Sequence, residues 1–156
     1  MMKTHAYTSH VRWTGNTGQG TASYTGYQRA WQIAVPGKPV INCSNDPLLG
    51  GDPTLMNPED LLLSALSACH MLWYLHLASD AGIVVTAYED TPEGTGELER
   101  SGAARFIKAT LRPRITLQEG ADLTEAHAIH HKIHETCFIA RSVNFPVEID
   151  AEFLTA

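Results

Sequence analysis

The chain has 156 residues, 44% of them apolar and 18% charged, which fits a single globular domain (1–156) able to bury its own core. Its formal net charge of -6, with Lys and Arg scattered singly, argues against a nucleic-acid or anionic-membrane partner. Three cysteines are too few for a secreted disulfide scaffold, and the opening MMKTHAYTSHVRWTG lacks a continuous apolar run, so a cytoplasmic protein without a secretory signal is expected.

The first forty residues read as strands. HAYTSHVRWTG and GTASYTGYQRAWQIAVPG are rich in Thr, Tyr, Trp, Val and Ile, with GNTGQG as the loop between them. KPVINCS reads as a short third strand, in which Cys43 is expected to be structural, and NDPLLGGDPT ends it as a loop. Asn57-Pro58-Glu59-Asp60 then opens a helix: Asn at the cap, Pro at the first position, carboxylates in the positive first turn. Nothing breaks the pattern until Gly82, which predicts about 24 residues spanning roughly 36 Å. GIVVTAYEDTPEGTGELE and ARFIKATLRPRITLQEG read as two more strands around a polar turn. ADLTEAHAIHHKIHETCF reads as a second amphipathic helix opened by Asp122 or a neighbour, and NFPVEIDAEF closes the chain as an edge strand. This order predicts an α+β fold of antiparallel sheets with two main helices.

The long helix is the least ordinary element. Residues 61–78 hold no Asp, Glu, Lys or Arg, a run long enough to suggest a membrane span. Two His and two Ser lie within it, however, and acidic residues without Lys or Arg flank it, so a buried helix and no membrane is the expectation. One small domain has too little protein to cover a helix apolar on nearly every side, which points to a homodimer. Cys69, in the middle of the helix, reads either as a small buried hydrophobe or as a nucleophilic thiolate needing a nearby positive charge.

NPEDLLLSALSAC together with AHAIHHKIHETCFIARSVNFPVEI resembles the OsmC/Ohr family of thiol-dependent organic hydroperoxide reductases. In that family a helix opening Asn-Pro-Glu carries a peroxidatic Cys ten residues after the Glu, the spacing of Glu59 and Cys69, and a resolving Cys follows much later, at Cys137 here. The resemblance implies an OsmC-like fold over the whole chain and an intertwined homodimer that buries the long helix. It implies that Cys69 attacks the peroxide to give a sulfenic acid and an alcohol, and that Cys137 condenses with it to a disulfide. It further implies that Glu59 orients a catalytic Arg. It implies a small organic hydroperoxide as substrate, an external dithiol of lipoyl type as reductant, and neither metal nor bound organic cofactor.

The source of that Arg is the point of departure. The loop SNDPLLGGDPTLM contains none, so Arg29 in YQRAW is the preferred candidate, with Arg12 and Arg141 as others. Ten residues on a continuous helix separate Glu59 from Cys69 by about 15 Å, so Glu59 of one subunit is expected to serve Cys69 of the other. Met71, Leu72 and Trp73, with Leu48 and Leu49 of the loop, are candidate pocket residues and equally plausible core. His70 reads as a buried histidine bonded to backbone or to a core polar group. His127, His130, His131 and His134 recur at helical spacing, a pattern read as a solvated face over a metal site. The alternatives are an OsmC-like dimer with little peroxidase activity that binds a small apolar ligand, and a metal-binding protein.

Overall fold

The computed structural model describes residues 3–156, so the first two positions of the stretch read against a secretory signal lie outside the described residues. The chain divides into two compact units, one running to Leu61 and the other from Leu62 to Ala156.

In the first unit, β1 (His10–Trp13), β2 (Trp31–Ala34) and β3 (Ile41–Cys43) form an antiparallel sheet in chain order. A polar ladder crosses all three strands: Arg12 donates to Gln32 at 2.7 Å, and Gln32 donates to Asn42 at 2.9 Å. The strands are shorter than the residue pattern predicts, because the Thr- and Tyr-rich stretch before β2 is loop. The Asn16 side chain accepts from the backbone N–H of Gly18 at 2.8 Å and of Gly20 at 3.0 Å. That closes the expected loop, and beyond it the carbonyls of Tyr24 and Tyr27 go to the Arg29 guanidinium and that of Gly26 to Thr17 Oγ1, which diverts them from sheet pairing. After β3, where Cys43 is fully buried, a 3-10 turn (Pro47–Leu49) is capped by Asp46, which accepts from Leu48 N–H at 2.7 Å.

α1 (Pro58–Asp80) follows, one residue shorter than expected. Both ends match their sequence signals. Asn57 Oδ1 accepts from Asp60 N–H at 2.8 Å and Asp60 Oδ2 accepts from Asn57 N–H at 3.1 Å, a reciprocal capping box with Asp in place of Glu. At the far end Ile83 N–H bonds to Ala78 O at 2.8 Å and Gly82 N–H to Ser79 O at 3.1 Å, a Schellman closure that needs the left-handed φ of 71° at Gly82. The stripe buried within the chain is narrow: Leu66, His70, Tyr74 and Ala78, four residues apart. Leu72 is 62% exposed, and Ser64, Ala68 and Leu75 are exposed as well. By length and composition α1 is apolar enough to cross a membrane, with a mean hydropathy of 1.5 and 22% of that window buried in the chain.

The second unit continues with β4 (Val85–Asp90), β5 (Glu93–Leu98), β6 (Ala104–Leu111), β7 (Pro113–Leu117), α2 (Leu123–His134), β8 (Val147–Ile149) and β9 (Glu152–Thr155). Four strands stand where two were expected between the helices. Each expected strand breaks at a proline, Pro92 or Pro113, which supplies no N–H to a ladder. The terminal strand also divides, into β8 and β9. These pair parallel with β6 and β7, so the sheets β4-β7-β9 and β5-β6-β8 are mixed and not purely antiparallel.

The three breaks lie side by side and form a crease. Arg112 N–H donates to Asp90 Oδ1 at 2.7 Å, and Asp150 N–H donates to Leu111 O at 2.8 Å. The Arg112 guanidinium pairs with Glu93 at 2.6 Å and Asp150 at 3.6 Å. Asp90 also holds α1, accepting from Ser67 Oγ at 2.5 Å. Over β7, residues Tyr74 and Ala78 of α1 meet Ala126, Ile129 and Ile133 of α2 on Ile115 and Leu117, while Leu66 packs on Ala109 and Leu111 of β6. The result is an α+β fold with two main helices.

Candidate active site

The second unit brings Cys69 and Cys137 together. Cys69 is half-buried in the fourth turn of α1, against the Tyr74 core. α2 is capped by Asp122, which accepts from the N–H groups of Thr124 and Glu125, and Cys137 lies just past its other end. There Cys137 N–H bonds to Ile133 O at 2.8 Å, and Ala140 N–H donates to the Cys137 sulfur at 3.4 Å. The two sulfurs are 2.7 Å apart and both thiols are free. A disulfide bond is about 2.05 Å, so oxidation requires little backbone movement. Burial, and next the hydrogen bond to Cys69, push the Cys137 thiol up to about 11. In the resting protein Cys137 is therefore a protonated partner.

Beside Cys69 on α1, Met71 and Trp73 are half-buried, Trp73 against the core, and Leu72 faces outward. His70 is buried and takes a core polar partner, His130, with Nε2 to Nδ1 at 2.9 Å. The other three histidines of α2, His127, His131 and His134, are exposed. Among the described residues no three His, Cys, Asp or Glu side chains are spaced to hold a metal ion.

The first unit holds Arg29, Glu59, Leu48 and Leu49. The Arg29 guanidinium donates to Tyr27 O and Tyr24 O, each at 2.7 Å, and lies 4.3 Å and 4.2 Å from the centroids of the Tyr24 and Tyr27 rings. This clamp fixes a half-buried cation in a cavity of about 460 Å³ that Gly50, Gly51, Asp52 and Leu55 also line. Leu48 and Leu49 stand outside that cavity, 94% and 50% exposed. Glu59 is exposed in the first turn of α1 and does not pair with Arg29. Arg12 is spent on Gln32, and Arg141 is exposed four residues past Cys137, its N–H bonded to Cys137 O.

Sequence reasoning did not single out the tyrosine clamp, because Tyr24 and Tyr27 sit in a stretch read as strand. It also treated His130 as one of a solvated row. A signal was present, since His130 falls on the apolar stripe of α2 with Ala126, Ile129 and Ile133.

Residues 51–152 match the family described as OsmC-like protein. An OsmC-like protein of unknown function from Vibrio cholerae superposes with a TM-score of 0.85 at 27% identity, over 95% of this chain and 99% of that one. The organic hydroperoxide resistance protein OsmC of Legionella pneumophila superposes at 0.68 and 18% identity, over 98% and 99% of the two chains. An organic hydroperoxide resistance protein of Elizabethkingia anophelis gives 0.69 and 20%, over 99% and 100%. The uncharacterized protein YmaD of Bacillus subtilis is 25% identical over 99 residues, 62% of this chain and 65% of YmaD, so the matched part is just under two thirds of that relative.

Proposed function

The chain belongs to the OsmC-like family, and from that premise we propose that it is a thiol-dependent peroxidase reducing small organic hydroperoxides to alcohols. The observation that carries this reading is the 2.7 Å approach of Cys69 and Cys137. The name organic hydroperoxide resistance protein, borne by relatives of the same fold, supports it.

The Cys69 thiolate attacks the O–O bond; an S–O bond forms, the alkoxide leaves, and a proton completes the alcohol. Cys137 then displaces the oxygen as water and forms the disulfide. A small external dithiol of lipoyl type returns the pair to thiols, and the cycle uses neither metal nor bound cofactor. Arg29, oriented by the carbonyls of Tyr24 and Tyr27, is the cation assigned to the thiolate and the departing oxygen. The protein acts as a homodimer in the cytoplasm, with the exposed apolar side of α1 covered by a second copy and not by lipid. In that dimer Glu59 of one copy serves Cys69 of the other. Met71 and Trp73, half-buried beside Cys69, favour apolar substrates.

One observation favours a second reading. A cavity of about 460 Å³ walled by Tyr24 and Tyr27 is of small-ligand size, which suits a binding dimer with little peroxidase activity. Consumption of cumene hydroperoxide with dihydrolipoamide decides between the two. We expect turnover that Cys69→Ser abolishes and Cys43→Ser keeps. A wild-type protein that consumes no hydroperoxide would remove the peroxidase reading.

A further inference from the structure

The cysteine contact is not the only polar link between α1 and α2. One residue after Cys69, His70 meets His130, whose ring nitrogen lies 2.9 Å away. The ring planes are 9° apart and the centroids 5.1 Å apart, so the imidazoles meet edge to edge in a shared hydrogen bond. One nitrogen must donate and the other accept. His130 Nε2, the remaining nitrogen of that ring, is buried without a partner. His70, His130, His134 and Cys137 line one small cavity of about 20 Å³, room for a single water. Beyond it, His130 and His134 also wall an open cleft of about 590 Å³ with His127, His131 and Asp150.

We propose that the His70–His130 pair relays the proton that Cys137 gives up as the disulfide forms and takes back as it is reduced. This rests on the peroxidase reading for its physiological oxidant, but the relay itself belongs to the dithiol couple. In the forming step the Cys137 S–H bond breaks and its electron pair makes the S–S bond. The S–O bond of oxidised Cys69 breaks, and its oxygen leaves as water. The relay carries the thiol proton away while water formation consumes one, so no charge accumulates.

A neutral imidazole can accept a proton on one nitrogen as it releases another from the second. Burial makes that the available mode, holding His70 down to about 4 and His130 down to about 3, so neither ring stores a charge. The ionisable groups around the pair are Asp90, which favours protonated His70, then Tyr74 against His130, then Cys137 and the exposed His127, His131, His134 and Asp150. Of these only Cys137 has a proton that the reaction must move.

The test is the rate of Cys69–Cys137 disulfide formation in the full-length protein, followed by stopped-flow with cumene hydroperoxide and, separately, with diamide. Diamide takes two electrons and two protons from a dithiol without any peroxidase step. In His130→Gln, whose amide can hold the bond to His70 but cannot relay, closure should slow roughly tenfold or more near pH 7. The rate should recover as pH rises toward the range in which Cys137 ionises unaided, about 11. His70→Asn should show the same profile, and the exposed His76→Gln should match wild type. Closure at the wild-type rate in both variants, or a loss equal at every pH, would overturn the relay. Wild-type protein closed by diamide but left reduced by hydroperoxide would fail the peroxidase reading, with the relay still decided by the diamide rates.

Discussion

Two histidines at the centre of the second unit carry a consequence for stability. His70 and His130 are buried neutral, with folded-state pKa values down to about 4 and about 3 from an ordinary 6.5. A depressed value means the native protein binds fewer protons than the unfolded chain below pH 6.5, so their contribution is present above that pH and lost as it falls. For His70 the shift corresponds to a loss on the order of 3 kcal/mol, at about 1.4 kcal/mol per unit. Urea midpoints should fall between pH 6.5 and about 4, and His70→Asn should flatten that slope. The residues carrying this effect were only half legible in the sequence. The buried His70 could be read from an apolar helix, but its partner lies 60 positions away, a pairing that only the packing of α1 on α2 creates.

Among the elements, α1 was the most legible, because its start and stop are local chemistry. The Asn57/Asp60 box and the Gly82 closure depend on residues within a turn of each end. Asn57→Ala should therefore lower stability by about 1 kcal/mol. Gly82→Ala should cost on the order of 1 kcal/mol through its left-handed backbone. Equilibrium urea unfolding reads both. The strands were less legible for a physical reason: Val, Ile and Thr content marks a segment as fit for a sheet but says nothing of where it bends. Pro92 and Pro113 were present in the sequence, yet their alignment with the gap between β8 and β9 depends on parallel pairings that join distant segments. The failure before β2 is of the opposite kind, since the Arg29 guanidinium and Thr17 Oγ1 take the carbonyls of Tyr24, Tyr27 and Gly26 that a strand would give to its neighbour.

For the whole molecule, the sequence pattern led from an apolar helix to the proposed second copy, and the sides of α1 left uncovered within the chain are where that proposal is tested. Only the Leu66–His70–Tyr74–Ala78 stripe of α1 is buried within the chain. Leu72 and Leu75 lie on other sides of the helix. If a second copy covers them, Leu72→Glu with Leu75→Glu should convert a dimer to a monomer in sedimentation equilibrium and abolish turnover together. A double variant that stays dimeric would place the partner elsewhere.

The sulfur contact has a further effect that belongs to the unfolded chain. Joining Cys69 to Cys137 ties off a loop of 68 residues. By the chain-entropy relation, a loop of that length removes about 4 kcal/mol worth of freedom from the denatured ensemble. The native fold hardly changes, because the thiols already touch. Oxidation should thus raise the melting temperature in calorimetry with and without dithiothreitol, while Cys137→Ser melts alike in both. The protein would then be hardest to digest with a protease when it has just met an oxidant, and its lifetime would record its recent exposure.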